Sequence, residues 1–213
     1  MKTVVCFASL FFVASAIAEP MHFEVKETGG KCCRWIQATG EIYEDTPTIF
    51  EKFLRSSEFI PKVVRLNSQG GSLRGGVLLG ELFRSRDFAT EVGSSNLNAD
   101  ASMAGSKNDY TKTPGDCVSA CAFTFLGGIE RTLDPNSNLA FHLYSKPDAP
   151  SENDVQELIS LLHLYLLEMG VDARLIAWMT EAGPKVMRWI RPDEARDLRV
   201  TTGDSPTQCP ACP

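Results

Sequence analysis

The sequence predicts a single α/β domain built on a parallel sheet, and three observations carry that expectation. Its 213 residues are 43% hydrophobic and 23% charged, which suits one globular domain able to bury most of its apolar surface in one core. Short β-branched and aromatic runs at 62–66 and 88–92 bracket a stretch of helical periodicity at 73–84. Strand, helix, strand, helix, strand at this spacing, with turn residues between, is the pattern of a parallel sheet crossed by helices.

Residues 1–18 read as a secretory signal. Lys2 supplies the positive start, 4–14 form an apolar run too short to span a bilayer comfortably, and Ala16-Ile17-Ala18 is a small-x-small cleavage site before Glu19. Cys6 lies inside the apolar run and is not read as a lipid attachment point. The expected organisation is therefore a signal at 1–18, an extended lead-in at 19–33, the folded domain at 34–200 and a Cys/Pro-rich tail at 201–213, with export to the periplasm. No later stretch is long and apolar enough to cross a membrane, so no stable membrane insertion is expected. A formal charge of −6 argues against a nucleic-acid partner.

Loss of the signal leaves six of the seven cysteines: Cys32, Cys33, Cys117, Cys121, Cys209 and Cys212. An even number in an exported chain favours disulfides, and the sequence does not choose the pairing. Zinc held by Cys32-Cys33 and the Cys209/Cys212 pair is the alternative. It is disfavoured because no histidine lies at ligand spacing, so neither a metal nor a cofactor is expected.

In chain order, residues 34–42 are a first strand. Asp45 or Thr46 caps a helix with Pro47 in its first turn and Ile49, Phe50, Phe53 and Leu54 on one face. After the strand at 62–66, a glycine-rich loop at 67–72 leads into the helix at 73–84, whose Val77, Leu78, Leu79, Leu82 and Phe83 face inward. Residues 93–116, rich in Ser, Asn, Asp, Gly and Lys, are expected to be a long surface loop. A buried helix over 118–126 closes on Gly127-Gly128. The turn Asp134-Pro135-Asn136-Ser137 then precedes a strand over 139–143. Ser151 caps a helix to about 168, stopped by Gly170, and a second runs from about 172 to 179. Beyond Pro184, 187–190 is extended and 192–198 is a last short helix.

Three stretches carry chemistry. Ser119 stands where the 118–126 helix begins. A serine hydroxyl is unreactive until a base takes its proton, and at a first turn it also feels the positive end of the helix dipole. The plainer reading is a helix N-cap. His142 is the base candidate, against the plainer reading of a satisfied core histidine. His22 lies near the new N-terminus, and His163 reads as a packed or rim residue of its helix. Gly70 and Gly71, with the N–H of Ala120, could stabilise an oxyanion, against the plainer reading of a tight turn.

Together these stretches resemble the Clp protease proteolytic subunit and the wider Clp/crotonase superfamily. Leu66-Asn67-Ser68-Gln69-Gly70-Gly71-Ser72 is similar to that family's N-S-P-G-G loop, with Gln69 where proline is usual. Cys117-Val118-Ser119-Ala120-Cys121-Ala122-Phe123 is similar to its A-A-S-M-G-A-F segment. Asp134-Pro135-Asn136-Ser137 followed by Phe141-His142 is similar to L-P-N-S…I-H, and Trp189 to Ala195 resembles F-x-S/T-A-x-E-A. The cysteine-flanked serine and the signal look like an exported bacterial branch. The resemblance implies a repeated ββα spiral, with Ser119 as nucleophile, His142 as base, and Gly70, Gly71 and Ala120 as the oxyanion donors. It also implies a peptide or protein substrate. The superfamily tends to form rings and trimers, which leaves room for a homo-oligomer, although no interface is legible.

The third catalytic member departs from the family pattern. Where an aspartate is usual, 181–187 offers only Glu181, with Asp172 and Asp193 remoter options. A Ser-His dyad, a triad through Glu181 and an inactive site all stay open. Ala101-Ser102-Met103-Ala104-Gly105 imitates the nucleophile string more literally, but no apolar helix follows it and the interval to His142 is too long. Cys117 and Cys121 flank Ser119 at a separation suited to a disulfide, or each could reach another partner. A cysteine nucleophile is disfavoured, since paired cysteines in exported proteins seldom stay as thiolates. Crotonase-like relatives use the glycine loop for a thioester enolate, whereas the serine and histidine here favour hydrolysis. The expectation is an exported serine hydrolase acting as a peptidase. Its rival is a non-catalytic periplasmic binding or assembly protein on the same fold.

Overall fold

The computed structural model describes residues 19–28, 33–98, 109–142, 152–181 and 186–203. The larger sheet runs β1 (His22–Glu27), β2 (Arg34–Thr39), β3 (Val63–Asn67), β4 (Ala89–Val92) and β8 (Arg131–Leu133) in that spatial order. β2, β3, β4 and β8 are mutually parallel, as the strand–helix alternation predicts, and β1 is antiparallel to β2. A second sheet places β9 (Asn138–Phe141) between β10 (Arg188–Trp189) and β7 (Asp116–Val118), with β7 and β9 parallel.

Within the stretch expected as a lead-in, His22–Glu27 form an edge strand of the main sheet, and 29–32 lie outside the described residues. His22 pairs with Thr39 and the register continues to Glu27 with Arg34. Over 19–28 only Met21 and Phe23 are buried, and the charged Glu24, Lys26 and Glu27 that follow them hide the apolar alternation while protecting an exposed edge. Phe23 packs on Phe50 of α1 (Thr46–Ser56), 4.8 Å between ring centres, and Phe50 meets Phe83 of α2 (Leu73–Ser85) and Phe88 edge-on at 5.0 and 5.4 Å.

Within the expected surface loop at 93–116, the described residues on either side form strands, and 99–108 lie outside the described residues. β5 (Ser94–Leu97) and β6 (Tyr110–Thr113) form an antiparallel ribbon, and β7 follows directly. Arg65 anchors it, donating to the carbonyls of Ser94 (2.9 Å) and Thr113 (2.6 Å) and pairing with Glu91 at 3.1 Å, a pair almost wholly buried. Lys112 reaches Glu91 from the ribbon at 2.8 Å. A ribbon polar on both faces shows no apolar period, and its anchor lies some thirty residues away in β3, so no local signal announces it.

The helix expected over 118–126 begins later. Val118 ends β7, Ser119 alone makes the turn, and α3 (Ala120–Leu126) follows with every residue buried. Helix α3 docks on α2 so closely that a Cβ on Gly76 would stand 2.5 Å from the carbonyl oxygen of Ala120. Tyr165 of α4 (Glu152–Glu168) donates to the Phe123 carbonyl at 2.6 Å, and burial pushes its hydroxyl pKa up, which keeps it a donor. Buried Arg131 collects five carbonyls: Leu126 at the end of α3 and Gly128 just past it, Met169 after α4, and Arg199 and Val200 after α6 (Pro192–Asp197). Burial pushes its guanidinium down to about 10. The remaining helix, α5 (Arg174–Thr180), buries Leu175, Trp178 and Met179. Among the described residues no helix is long and apolar enough to cross a membrane.

Candidate active site

Three carboxyl ends of strands meet at one place. β3 ends at Asn67 and the chain continues as Ser68, whose N–H donates to Asp116 O (2.8 Å) and whose carbonyl accepts from Val118 N–H (3.0 Å), extending β3 alongside β7. β7 in turn lies in register with β9, Cys117 beside Leu139 and Val118 beside Ala140. One residue past β7 is Ser119 and one past β9 is His142. The spacing of serine and histidine in the sequence becomes adjacency because two parallel strands end level. Crevices outside the carboxyl ends of strands are where open α/β sheets bind ligands.

Ser119 has φ 58° and ψ −121°, a conformation normally left to glycine. Such backbone costs about 1–3 kcal/mol and survives only where its surroundings impose it. A strand-to-helix turn this sharp lifts the hydroxyl clear of both elements. The N-cap reading fails here: Ser119 makes no side-chain capping bond. Its Oγ instead lies 2.6 Å from His142 Nε2. Its N–H donates to Ala140 O (2.9 Å) and its carbonyl accepts from Ala122 N–H (2.9 Å), tying the turn to β9 and to α3.

The glycine loop packs against this turn. Gly70 has φ 103°, and a Cβ there would stand 2.7 Å from Val118 O, 2.8 Å from Ser119 Cβ and 3.2 Å from Ala120 N. Glycine is required on both counts. Its assigned role needs correction, however, because the Gly70 N–H is already given to Ser68 Oγ at 3.1 Å. The N–H groups of Gly71 and Ala120 have no acceptor among the described residues. Ser68, which the sequence reading passed over, thus fixes which N–H groups stay open. A cavity of about 360 Å³ opens beside the loop, lined in part by Glu41, Asn67, Ser68, Gln69, Gly70 and Gly71.

No carboxylate among the described residues hydrogen-bonds His142. Glu181 pairs with Arg188 at 2.6 Å with its side chain 68% exposed. Asp172 pairs with Arg174 at 3.0 Å and Asp193 with Arg191 at 3.3 Å, and each arginine holds its partner's carboxyl below the usual carboxylate range. The structure therefore brings Ser119, His142 and the glycine loop together and leaves all three acids engaged elsewhere. His22 and His163 are exposed. Cys117 and Cys121 form a disulfide, with sulfurs 2.02 Å apart, which excludes a free cysteine nucleophile at either position. Cys33 is also disulfide-bonded, while Cys32, Cys209, Cys212, Ser102 and residues 1–18, expected as a signal, lie outside the described residues. Among the described residues no three His, Cys, Asp or Glu side chains are grouped to hold a metal ion.

This arrangement of strands, glycine loop and serine turn defines a ClpP-like α/β fold. A point mutant of ClpP1 from Listeria monocytogenes superposes with a TM-score of 0.50 at 17% identity, over 76% of this chain and 84% of that one. A membrane-bound stomatin-specific protease gives 0.47 at 13% identity, over 76% and 73%. At such identities the likeness is one of fold. No protein-family profile matches the sequence, and no curated protein is similar to it.

Proposed function

We propose that the protein is an exported serine hydrolase acting on peptides or proteins, with Ser119 as nucleophile and His142 as general base. The observation that carries the reading is the 2.6 Å contact between Ser119 Oγ and His142 Nε2, made by a serine that bears a strained backbone and caps no helix. In this mechanism His142 Nε2 takes the hydroxyl proton as Oγ attacks the substrate carbonyl. The N–H groups of Gly71 and Ala120 receive the developing oxyanion. His142 then returns the proton to the leaving amine, and water releases the acyl group by the same steps. A peptide is the substrate class that the Clp-like fold and motifs favour, and the repeated ββα spiral and exported bacterial branch belong to the same proposal.

That no carboxylate among the described residues bonds His142 favours a second reading, a periplasmic binding or assembly protein that keeps the fold without the activity. A fluorophosphonate probe separates the two. The hydrolase reading expects labelling on Ser119 that vanishes in Ser119→Ala. Disulfide-intact protein that neither labels nor cleaves any peptide or ester would establish the binding-protein reading. Export is tested by intact mass, with the mature chain expected to begin at Glu19.

A further inference from the structure

The assignment of Ser119 as nucleophile raises the question of what holds its backbone in a glycine-like conformation, and the following inference rests on that assignment. On the strand side Ser119 is fixed by its N–H bond to Ala140 O, and on the helix side by Ala122 N–H to its own carbonyl. Besides the backbone through Ser119 itself, the two sides are joined covalently by the Cys117–Cys121 disulfide, whose Cα atoms are 5.1 Å apart and whose midpoint in sequence is Ser119. Both cysteines are wholly buried. A bond across so short a stretch removes little freedom from the unfolded chain compared with one closing a long loop. Its placement gives it a local use instead: it sets the distance between the last residues of β7 and the first turn of α3, and that distance decides where the Ser119 hydroxyl stands.

We propose that the Cys117–Cys121 disulfide is the positioning element of the nucleophile, so that the site is competent only in the oxidised chain. The two thiols each give up a proton and together give up two electrons to a disulfide-bearing oxidant, which leaves as a dithiol while the Sγ–Sγ bond forms. Burial of both sulfurs slows thiolate attack on the finished bond without preventing it, since exchange needs access. Oxidation then acts once, during folding, and confines activity to chains that have folded in an oxidising compartment.

The test compares wild-type mature protein with the Cys117→Ala/Cys121→Ala double variant. Fluorophosphonate labelling is followed over a range of probe concentrations, and each sample's melting transition is recorded. A positioning role predicts a cooperative melt in the variant and a half-saturating probe concentration near the wild-type value. The maximal labelling rate should fall about 100-fold, the effect expected of a misplacement near 1 Å. A folded variant that labels at the wild-type rate overturns the proposal. Should the variant fail to fold, reduction of the wild-type protein decides the matter, with alkylation mapping of Cys117 and Cys121, labelling and circular dichroism followed in parallel. Labelling lost in step with the bond and before the fold supports the proposal; labelling lost only as the fold is lost overturns it. Wild-type protein that never labels overturns the hydrolase reading along with this one, whereas a labelling wild type beside an equally active variant overturns this one alone.

Discussion

Two turns carry the chain from a strand into a helix beside the site, and they are built in opposite ways. From β3 to α2 the chain uses a loop over 67–72, places glycines at its two left-handed positions, Gly70 at φ 103° and Gly71 at φ 132°, and ends on Ser72, whose Oγ accepts from Gly75 N–H at 3.2 Å. From β7 to α3 it uses Ser119 alone, at φ 58°, with no capping bond. In the first turn each residue type does what backbone physics favours: glycine takes the positive φ and serine caps. In the second, serine takes the conformation it tolerates least and gives up the bond it makes best. Geometry alone would have been met more cheaply by glycine, so the difference points to the hydroxyl, whose partner is His142.

That contrast is broken most severely by removing either member of the pair. Ser119→Ala and His142→Ala should each lower probe labelling and hydrolysis by on the order of 10⁴-fold or more, and the double variant should be little worse than either one, because the two groups act as a unit. Additive losses measured in the double variant would argue against a shared step.

The next largest effect is expected at the contact between the turns. Gly70→Ala puts a methyl group 2.7 Å from Val118 O and 2.8 Å from Ser119 Cβ at a left-handed position. Overpacking of this kind costs about 1–3 kcal/mol, and the displaced Ser119 should lose about 100-fold in labelling rate. Denaturant unfolding and labelling of the same sample measure the two effects; an unchanged rate would mean that the loop does not set the serine's position.

The two serines offer a sharper and gentler comparison. Ser72→Ala removes a cap and should cost about 1 kcal/mol of stability while leaving labelling intact. Ser119→Ala should do the reverse, since no cap is lost and the strained φ persists. Equal destabilisation by both substitutions, read from urea midpoints, would contradict the uncapped geometry of Ser119.

What the sequence revealed and what it concealed divide along physical lines. The interior parallel strands were legible from the short apolar segments that line their core face, as Val64 and Leu66 do in β3. That Ser119, His142 and the Gly70-Gly71 loop form one candidate set was legible from residue type and order. Their arrangement was not. Whether Ser119 lies in the first turn of a helix or in front of it depends on one backbone angle, and residue order does not encode that. The engagement of Glu91 by both Arg65 and Lys112 arises between segments that only tertiary folding brings together, and that of the Gly70 N–H by Ser68 Oγ, two residues away, depends on a loop conformation that residue order does not encode. The Cys117–Cys121 pairing was one open option among several, because cysteine spacing permits a bond without requiring it.

The smallest expected effect belongs to Glu181→Gln, and it decides how the histidine is held. Glu181 is the one acid in the stretch where an orienting aspartate is usual, yet its Oε2 lies 2.6 Å from Arg188 Nη1 and its side chain is 68% exposed. Arg188 is well supplied without it, lying over the Trp178 ring at 4.0 Å, bonding the Trp178 carbonyl and approaching Glu194 at 3.8 Å. Exposed pairs of this kind contribute about 0–1 kcal/mol, so the substitution should shift stability by no more than that and leave the labelling rate within about twofold. Loss of a true orienting carboxylate would look different: neutralising that residue in a Ser-His-Asp triad lowers turnover by on the order of 10⁴-fold through the wrong histidine tautomer. A large loss in Glu181→Gln with an unchanged melting point would mean that Glu181 leaves Arg188 for His142 in the working enzyme. A rate near wild type would exclude Glu181 and argue for a dyad, in which His142 is held by its place at the end of β9 and by Ser119 itself. β10 bears on both outcomes, because it pairs Arg188 with Phe141, the residue before His142.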